Sequence, residues 1–577
     1  MMQMKTWQQL FLFTLCVLHL QLHVATGTMV MRAGKIGATP ANKTSGGSCA
    51  SLGNRGAYFD IEVEVGTPGQ KFAVVADTGS NSLIVPSCVC HQLGYCSPDS
   101  RCFIGANHSS TYLLMRDANG KARYVMIRFG SGIVQGAIAH ESVRIGQTTA
   151  DMKDGVVLMT QKVLRFPGHF EGVLGLGIPY TRPMAPQDKK KKESAVDEVI
   201  KSLEKVLGKS GESLLSLPSS LKANMSAALG GPYPSGFMEQ SDVNRFSVCF
   251  NRVTDGVLRL DPMPLPVLMP TLALQHWSVA LNGVSIGNSK RKVTICAPSQ
   301  KQLFPATPCA AIPDSGTTLI LAPSAHIKLL AEDLCDAWPR CKQNHTALKR
   351  AIDAATKAAK KVYGFNPFRW PTPSKLRVLE TVLNDCSSWL DEGSGGLAAE
   401  LPDIKFSIAG KDGTSTTELK LPPRAYVFQR NVRERVATLV EQVEETESSI
   451  EDDSAAFGAK LSSGSSSVSA AESAVQRKQC SLAFGVANYF TRENGPAWIL
   501  GSPFFYEFDV GFDLSSKPPA LSFRQLTDDA PCGACAAGGS LATASNPTDG
   551  AADSHQLPHW TSGPPRMPTF ASDEPLF

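Results

Sequence analysis

The sequence predicts a two-lobed protein built mainly from β-strands. Two observations carry that prediction: short apolar stretches, some strictly alternating, are separated by Gly- and Pro-containing turns, and a pair of motifs occurs twice in the same order. The chain has 577 residues, 42% hydrophobic and 19% charged, with 48 Gly and 38 Pro, which excludes collagen, coiled-coil and wholly disordered classes. Its 56 Lys and Arg against 52 Asp and Glu leave a net charge of +4, too weak to argue for nucleic acid or an anionic membrane. Partners must therefore be argued from sites.

Lys5, the apolar run Leu10 to Leu20 and the small residues Ala25, Thr26 and Gly27 read as a signal peptide over residues 1–27. That run is too short to span a bilayer, and no later stretch reaches the ~18 apolar residues a membrane helix needs, so no transmembrane anchor is expected. Removing Cys16 with the signal leaves 14 of 15 cysteines, an even number suited to disulfides in an oxidising compartment, with the connectivity open. Sequons at Asn42, Asn107, Asn224 and Asn344 fit secretory passage. Residues 28–55 read as a short prosegment or N-terminal extension.

From Tyr58 to Val65, Ile61, Val63 and Val65 alternate with Asp60, Glu62 and Glu64, which predicts a half-buried strand ending at the Gly66 to Gly69 turn. Phe72 to Ala76 is continuously apolar and delivers Asp77 to the polar loop Thr78, Gly79, Ser80, Asn81. Tyr124 to Phe129 and Ile133 to Ile138 flank Gly130, Ser131 and Gly132 and predict a mobile hairpin. The repeat follows. Val75-Ala76-Asp77-Thr78-Gly79-Ser80 returns as Ile312-Pro313-Asp314-Ser315-Gly316-Thr317, and each copy precedes an apolar-apolar-Gly element, Val173-Leu174-Gly175 and Ile499-Leu500-Gly501. The Asp-to-Gly interval is 175 − 77 = 98 in the first copy and 501 − 314 = 187 in the second, so the later half holds 89 extra residues.

The N-terminal lobe is expected over 56–250 with an insertion at 185–240, where Lys189 to Lys192 precede a helical pattern. The C-terminal lobe is expected over 251–524. Its insertions are 325–395, helical and Cys-containing, and 430–478, running from an amphipathic helix into acidic Ser-rich sequence. The tail 525–577 is low in complexity and expected to be mostly disordered.

The two Asp-(Thr/Ser)-Gly-(Ser/Thr) loops have a chemical logic. Gly beside the carboxylate permits close approach of another loop, and the hydroxyls can hold each carboxylate in plane. Across a pseudo-twofold axis Asp77 and Asp314 would face each other. Two like charges so close cannot both ionise cheaply, so the pair would share a proton and hold a nucleophilic water. A single such loop reads as a turn or helix cap; the pairing favours catalysis.

At this point the chain resembles the pepsin-like aspartic endopeptidases. The resemblance rests on Val65-Gly66-Thr67-Pro68, Phe129-Gly130-Ser131-Gly132, Phe170-Glu171-Gly172-Val173-Leu174-Gly175-Leu176, Phe246-Ser247-Val248, His276-Trp277, Leu401-Pro402-Asp403-Ile404, Ala425-Tyr426-Val427 and Trp498-Ile499-Leu500-Gly501, besides the two Asp loops. It spans about residues 56–524 and, in its cysteines, is similar to plant-type or membrane-associated branches. It implies an all-β bilobal acid-protease fold with helical surface insertions, and a dyad of Asp77 and Asp314. It further implies a cross-brace of Thr78 with Ser315 and support of the carboxylates by Ser80 and Thr317 beside Gly79 and Gly316. The flap residues Phe129, Gly130, Ser131 and Gly132, with Ile84, would contact substrate. The family usually has Tyr on the flap, and commonly Trp seven residues after the first Asp. Here Phe129 and Ile84 stand instead, so the usual flap hydrogen bond is absent and altered flap dynamics are expected, an expectation undone if Phe129→Tyr leaves the kinetics unchanged. Pro313 stands where an apolar residue is usual and removes one backbone donor.

Cys88, Cys90, Cys96 and Cys102 lack paired C-x-x-C spacing and read as disulfides rather than a metal site. Cys532-Gly-Ala-Cys535 reads as a local or tail-tethering disulfide rather than a redox site. No cofactor or metal is expected. The expectation is a monomeric endopeptidase of the secretory pathway, secreted or in an acidic endomembrane compartment, acting on protein or peptide and not on nucleic acid. The competing reading is a catalytically impaired protein of the same fold that binds peptides, glycans or an enzyme. A third is an adaptor acting through residues 185–240 or 430–478.

Overall fold

The computed structural model describes residues 48–164, 170–179, 234–262, 265–272, 276–287, 292–293, 309–364, 374–390, 395–410, 415–439, 470–491 and 495–535. The signal peptide, Lys189 to Lys192 with the helical pattern after them, and residues 536–577 lie outside the described residues.

The described chain is mostly strand, as the alternation requires. Phe59–Val65 pairs antiparallel with Gln70–Asp77, joined by the predicted turn. Gln70–Asp77 then runs parallel to Gly172–Gly175, with Asp77 opposite Gly175, and Leu83–Pro86 lies antiparallel on the other side of Gly172–Gly175. The second lobe repeats this arrangement. Ala310–Pro313 runs parallel to Gly495–Leu500, with Pro313 opposite Leu500, and Ile320–Ala322 lies antiparallel to that strand. In both lobes the strand that ends at the Asp is therefore flanked by the strand that ends at the second motif's glycine. The repeated motifs are repeated structure.

A shared sheet joins the halves. Arg245–Cys249 lies between Gly256–Leu260 and Phe508–Asp513, and the last of these pairs with Ala520–Gln525. Ser48–Asn54, in the segment read as extension, is a strand paired with both Gly256–Leu260 and Phe59–Val65. Aromatic rings fill the layer beneath: Phe59 stacks on Phe250 with centroids 3.8 Å apart, and Phe246 on Phe512 at 4.5 Å. These rings are fully buried or nearly so, which supplies large apolar area at the junction.

The segment 325–395 is helical as expected, with helices Ser324–Ala337, Pro339–Tyr363 and Lys375–Asn384. Cys335–Cys341 closes the elbow between the first two, and buried Trp338 packs edge-on against Trp389 at 5.1 Å. Beyond residue 430 the expected amphipathic helix is replaced by a strand: Val427–Leu439 pairs antiparallel with Ala470–Leu482 from Val427 opposite Leu482 to Leu439 opposite Ala470. The 4- and 3-residue spacing of Val432, Val436 and Leu439 suits a helix. The partner strand that satisfies the backbone instead lies some 30 residues further along the sequence, information absent from the local pattern.

Disulfides fasten the periphery. Cys88–Cys102 and Cys90–Cys96 close the loop after the first Asp motif, and Cys386–Cys480 ties the helical segment to the Ala470–Leu482 strand. Cys49–Cys535 and Cys249–Cys532 hold residues 532–535 against the shared sheet, so the C-x-x-C pair is a double tether. Asn107 and Asn344, two of the sequon residues, are exposed.

Candidate active site

Each Asp stands at the end of a buried strand and at the start of a loop that curls back on it. Gly79 N donates to Asp77 Oδ1 at 2.8 Å and Ser80 Oγ to Asp77 Oδ2 at 2.5 Å. In the second lobe Gly316 N donates to Asp314 Oδ1 at 2.9 Å and Thr317 Oγ1 to Asp314 Oδ2 at 2.7 Å. Position for position, the two loops make the same bonds.

The loops are also interlocked. Thr78 Oγ1 donates to Pro313 O at 3.0 Å and accepts from Ser315 N at 3.0 Å. Ser315 Oγ donates to Ala76 O at 2.7 Å and accepts from Thr78 N at 3.0 Å. Both hydroxyls are buried, at 1% exposure, so each bond is made away from water where its loss is costly. Pro313 has no N–H to give, and its carbonyl is the group this brace uses.

Glycine is required where the loops touch. A Cβ on Gly79 would lie 2.7 Å from Asp314 Oδ2, and one on Gly316 would lie 2.5 Å from Asp77 Oδ1. Each carboxyl thus packs against the other lobe's glycine. Gly175 and Gly501 serve the same loops from behind: a Cβ on Gly175 would meet the Asn81 carbonyl carbon at 2.4 Å, and one on Gly501 the Leu319 carbonyl oxygen at 2.2 Å. Additional ties join the segments around the two loops. Thr318 Oγ1 donates to Ala57 O at 2.7 Å, and Trp277 Nε1 donates to Leu176 O at 2.9 Å.

Asp77 is 8% exposed, and the Asp314 carboxyl lies close enough to act on it electrostatically. Burial first, then the Asp314 charge, raises its carboxyl well above the usual carboxylate range, against the lowering effect of the Ser80 and Gly79 donors. The pair therefore retains a proton at pH values where an isolated Asp has lost it.

The hairpin expected to be the flap consists of Tyr124–Phe129 and Gly132–Ile145, closed by Gly130 and Ser131. Gly132 has φ of +147°, and a Cβ there would strike the Val163 carbonyl oxygen at 1.9 Å, so no other residue fits. Phe129 is partly buried against the apolar cluster that contains Ile84, Val75, Val125, Ile127 and Val173. The two departures from the usual pattern thus belong to one apolar cluster. Opposite, Ile312 and Ile499 form a second cluster with Leu272, Leu321 and Tyr489. Leu321 is seven residues after Asp314, as Ile84 is after Asp77. Tyr489 was missed by the sequence reading because a lone tyrosine in a loop carries no signal.

The family model for eukaryotic aspartyl protease matches residues 57–203. The chain is 25% identical to pregnancy-associated glycoprotein 1 of Ovis aries over 331 residues, covering 56% of this chain and 70% of that protein. It is 28% identical to a renin of Echis ocellatus over 282 residues, covering 48% of this chain and 58% of the relative. It is 27% identical to phytepsin of Hordeum vulgare over 303 residues, covering 52% of this chain and 49% of the relative. The chain thus spans about half to seven-tenths of the length of these relatives. These matches make the chain similar to the pepsin-like aspartyl proteases.

Proposed function

We propose that the protein is an aspartic endopeptidase in which Asp77 and Asp314 jointly activate a water molecule for attack on a peptide bond. The observation that carries the reading is the paired geometry. Two carboxyls, each held by a backbone N–H and a hydroxyl of its own loop, face each other across a buried cross-brace. Similarity to the pepsin-like aspartyl proteases supports it.

The chemistry follows from one shared proton. The ionised carboxyl takes a proton from water as the water oxygen bonds to the peptide carbonyl carbon, while the protonated carboxyl donates to the carbonyl oxygen. The result is a tetrahedral diol with no bond to the enzyme. Proton delivery to the nitrogen then breaks the carbon–nitrogen bond, giving a carboxyl and an amine. The proton belongs to the pair, since two coupled carboxyls titrate together.

An extended peptide lying across both lobes under the flap would have Phe129 and Ile84 on one side and the Ile312, Ile499 and Leu321 cluster on the other. This favours apolar side chains flanking the cleaved bond. Activity is expected on the acid side, consistent with a secretory or acidic endomembrane setting; among the described residues no helix is long and apolar enough to cross a membrane.

The test is digestion of a denatured protein from pH 3 to 7 by the secreted chain, beside Asp77→Asn and Asp314→Asn, with and without a statine-type inhibitor. Acid-side cleavage abolished by each substitution and by the inhibitor is the expected result. A folded chain that binds the inhibitor yet cleaves nothing would reduce the site to a peptide-binding groove.

A further inference from the structure

The flap tip meets a side chain from the opposite lobe. A Cβ on Gly130 would lie 2.5 Å from the Tyr489 hydroxyl oxygen but 3.8 Å from its Cζ. The phenol therefore aims its oxygen, not its ring face, at the flap backbone. Tyr489 precedes the short Phe490–Thr491 strand. Its ring packs partly buried on the cluster of Ala310, Ile312, Ala497 and Ile499, and its carbonyl accepts from Ala497 N at 3.0 Å. These neighbours belong to the strand that leads into Asp314 and to the strand paired with it, so the phenol rides on the rigid part of the second lobe.

The flap has the opposite character. Phe129 has no hydroxyl, and its ring is engaged with the apolar cluster of the first lobe. The backbone at Gly130 is exposed at the tip, and glycine there leaves room for the approaching oxygen. Gly130 is not among the residues with positive φ, so its requirement is one of space, not conformation.

We propose that Tyr489 is the flap latch: a positioning residue, fixed on the second lobe, whose hydroxyl receives the flap backbone at Gly130 and sets its closed position above Asp77 and Asp314. The proposal deepens the endopeptidase reading and rests on it for its catalytic consequence. Burial and the Asp314 charge both raise the phenol above its ordinary value, so the hydroxyl keeps its proton across the acid and neutral range. A latch of this kind does not switch off with pH where the dyad works.

The test uses the full secreted chain with Tyr489→Phe, Gly130→Ala and the double variant, followed by amide hydrogen exchange over residues 124–136, melting temperature, and kcat and KM on an apolar peptide. Tyr489→Phe should raise flap exchange at least about threefold with the melting temperature unchanged, as expected for a local opening. Gly130→Ala should do the same, because its methyl collides with the oxygen. In the double variant that oxygen is gone, so the alanine should add little, a departure from additivity of about threefold or more. The same variants should lower kcat/KM chiefly through kcat. Unchanged flap exchange in Tyr489→Phe, or strictly additive effects, would overturn the latch. Wild-type chain that cleaves nothing would refute the endopeptidase reading, while the exchange data would still decide whether Tyr489 holds the flap.

Discussion

Thr78→Val isolates the brace between the lobes, because valine keeps the shape of threonine and removes only the hydroxyl. That hydroxyl donates to Pro313 O and accepts from Ser315 N, both at 3.0 Å, in a region from which water is excluded. Losing it leaves one buried carbonyl and one buried N–H unsatisfied. At about 1–3 kcal/mol for each group, the expected destabilisation is roughly 2–6 kcal/mol. The consequence for catalysis comes through geometry, since Ser315 adjoins Asp314 and Thr78 adjoins Asp77. A displacement of the dyad by about 1 Å is expected to cost on the order of a hundredfold in rate. Urea unfolding followed by fluorescence measures the first effect, and kcat/KM on an apolar peptide the second. Ser315→Ala should behave alike, orphaning Thr78 N and Ala76 O, and the double variant should fall short of the sum because both belong to one network. Stability within about 0.5 kcal/mol of wild type, with kcat/KM unchanged, would refute the claim that the cross-brace positions the dyad.

Other expectations concern pH and tethering. The raised carboxyl of Asp77 means the folded state holds a proton the unfolded chain has released, so stability is fully present below the ordinary Asp range and is lost as pH rises toward the folded value. One proton corresponds to a slope of about 1.4 kcal/mol per pH unit within that window, and Asp77→Asn should flatten it in melting temperatures taken from pH 4 upward. His326 works in the other direction. Its Nδ1 accepts from Trp498 Nε1 at 3.1 Å, and burial lowers the imidazole to about 4. The unfolded chain therefore binds the extra proton between about pH 6.5 and 4, and stability should decline as pH falls through that window. His326→Gln, which keeps an acceptor but does not titrate, should remove this decline. Replacing Cys49 and Cys535 together by Ser should cost about 2–4 kcal/mol in chemical unfolding with kcat unchanged, since the bridge ties residue 535 to the Ser48–Asn54 strand rather than to the cleft. A loss of activity without loss of stability would contradict that placement.

The site was legible because its chemistry is written in short local motifs. Asp77, Asp314, their glycines and their hydroxyls each follow from loop sequence, and repetition in the same order supplied the pairing. Strands with strict alternation were equally clear: Tyr58 to Val65 was expected, and Phe59–Val65 is found. What failed to show depends on partners far along the chain. Ser48–Asn54 reads as part of a prosegment or extension until Gly256–Leu260 is seen beside it. Val427–Leu439 fits a helix until Ala470–Leu482 supplies its hydrogen bonds. Cys532 and Cys535 could not be assigned partners, because Cys249 and Cys49 are brought to them by the sheet and not by spacing. Tyr489 is the functional counterpart of the same limit: its meaning lies in a flap some 360 residues earlier, which no local pattern announces.

Comparison of kcat/KM for wild type, Asp77→Asn, Asp314→Asn and the double variant at acid pH most directly tests whether the two carboxyls act as one catalytic unit. Each single substitution should lower kcat/KM by at least about a thousandfold, and the double variant should be little worse than either single one, as expected for groups that work together. Retention of more than about a tenth of wild-type activity by either folded single variant would contradict a shared-proton dyad as the source of catalysis.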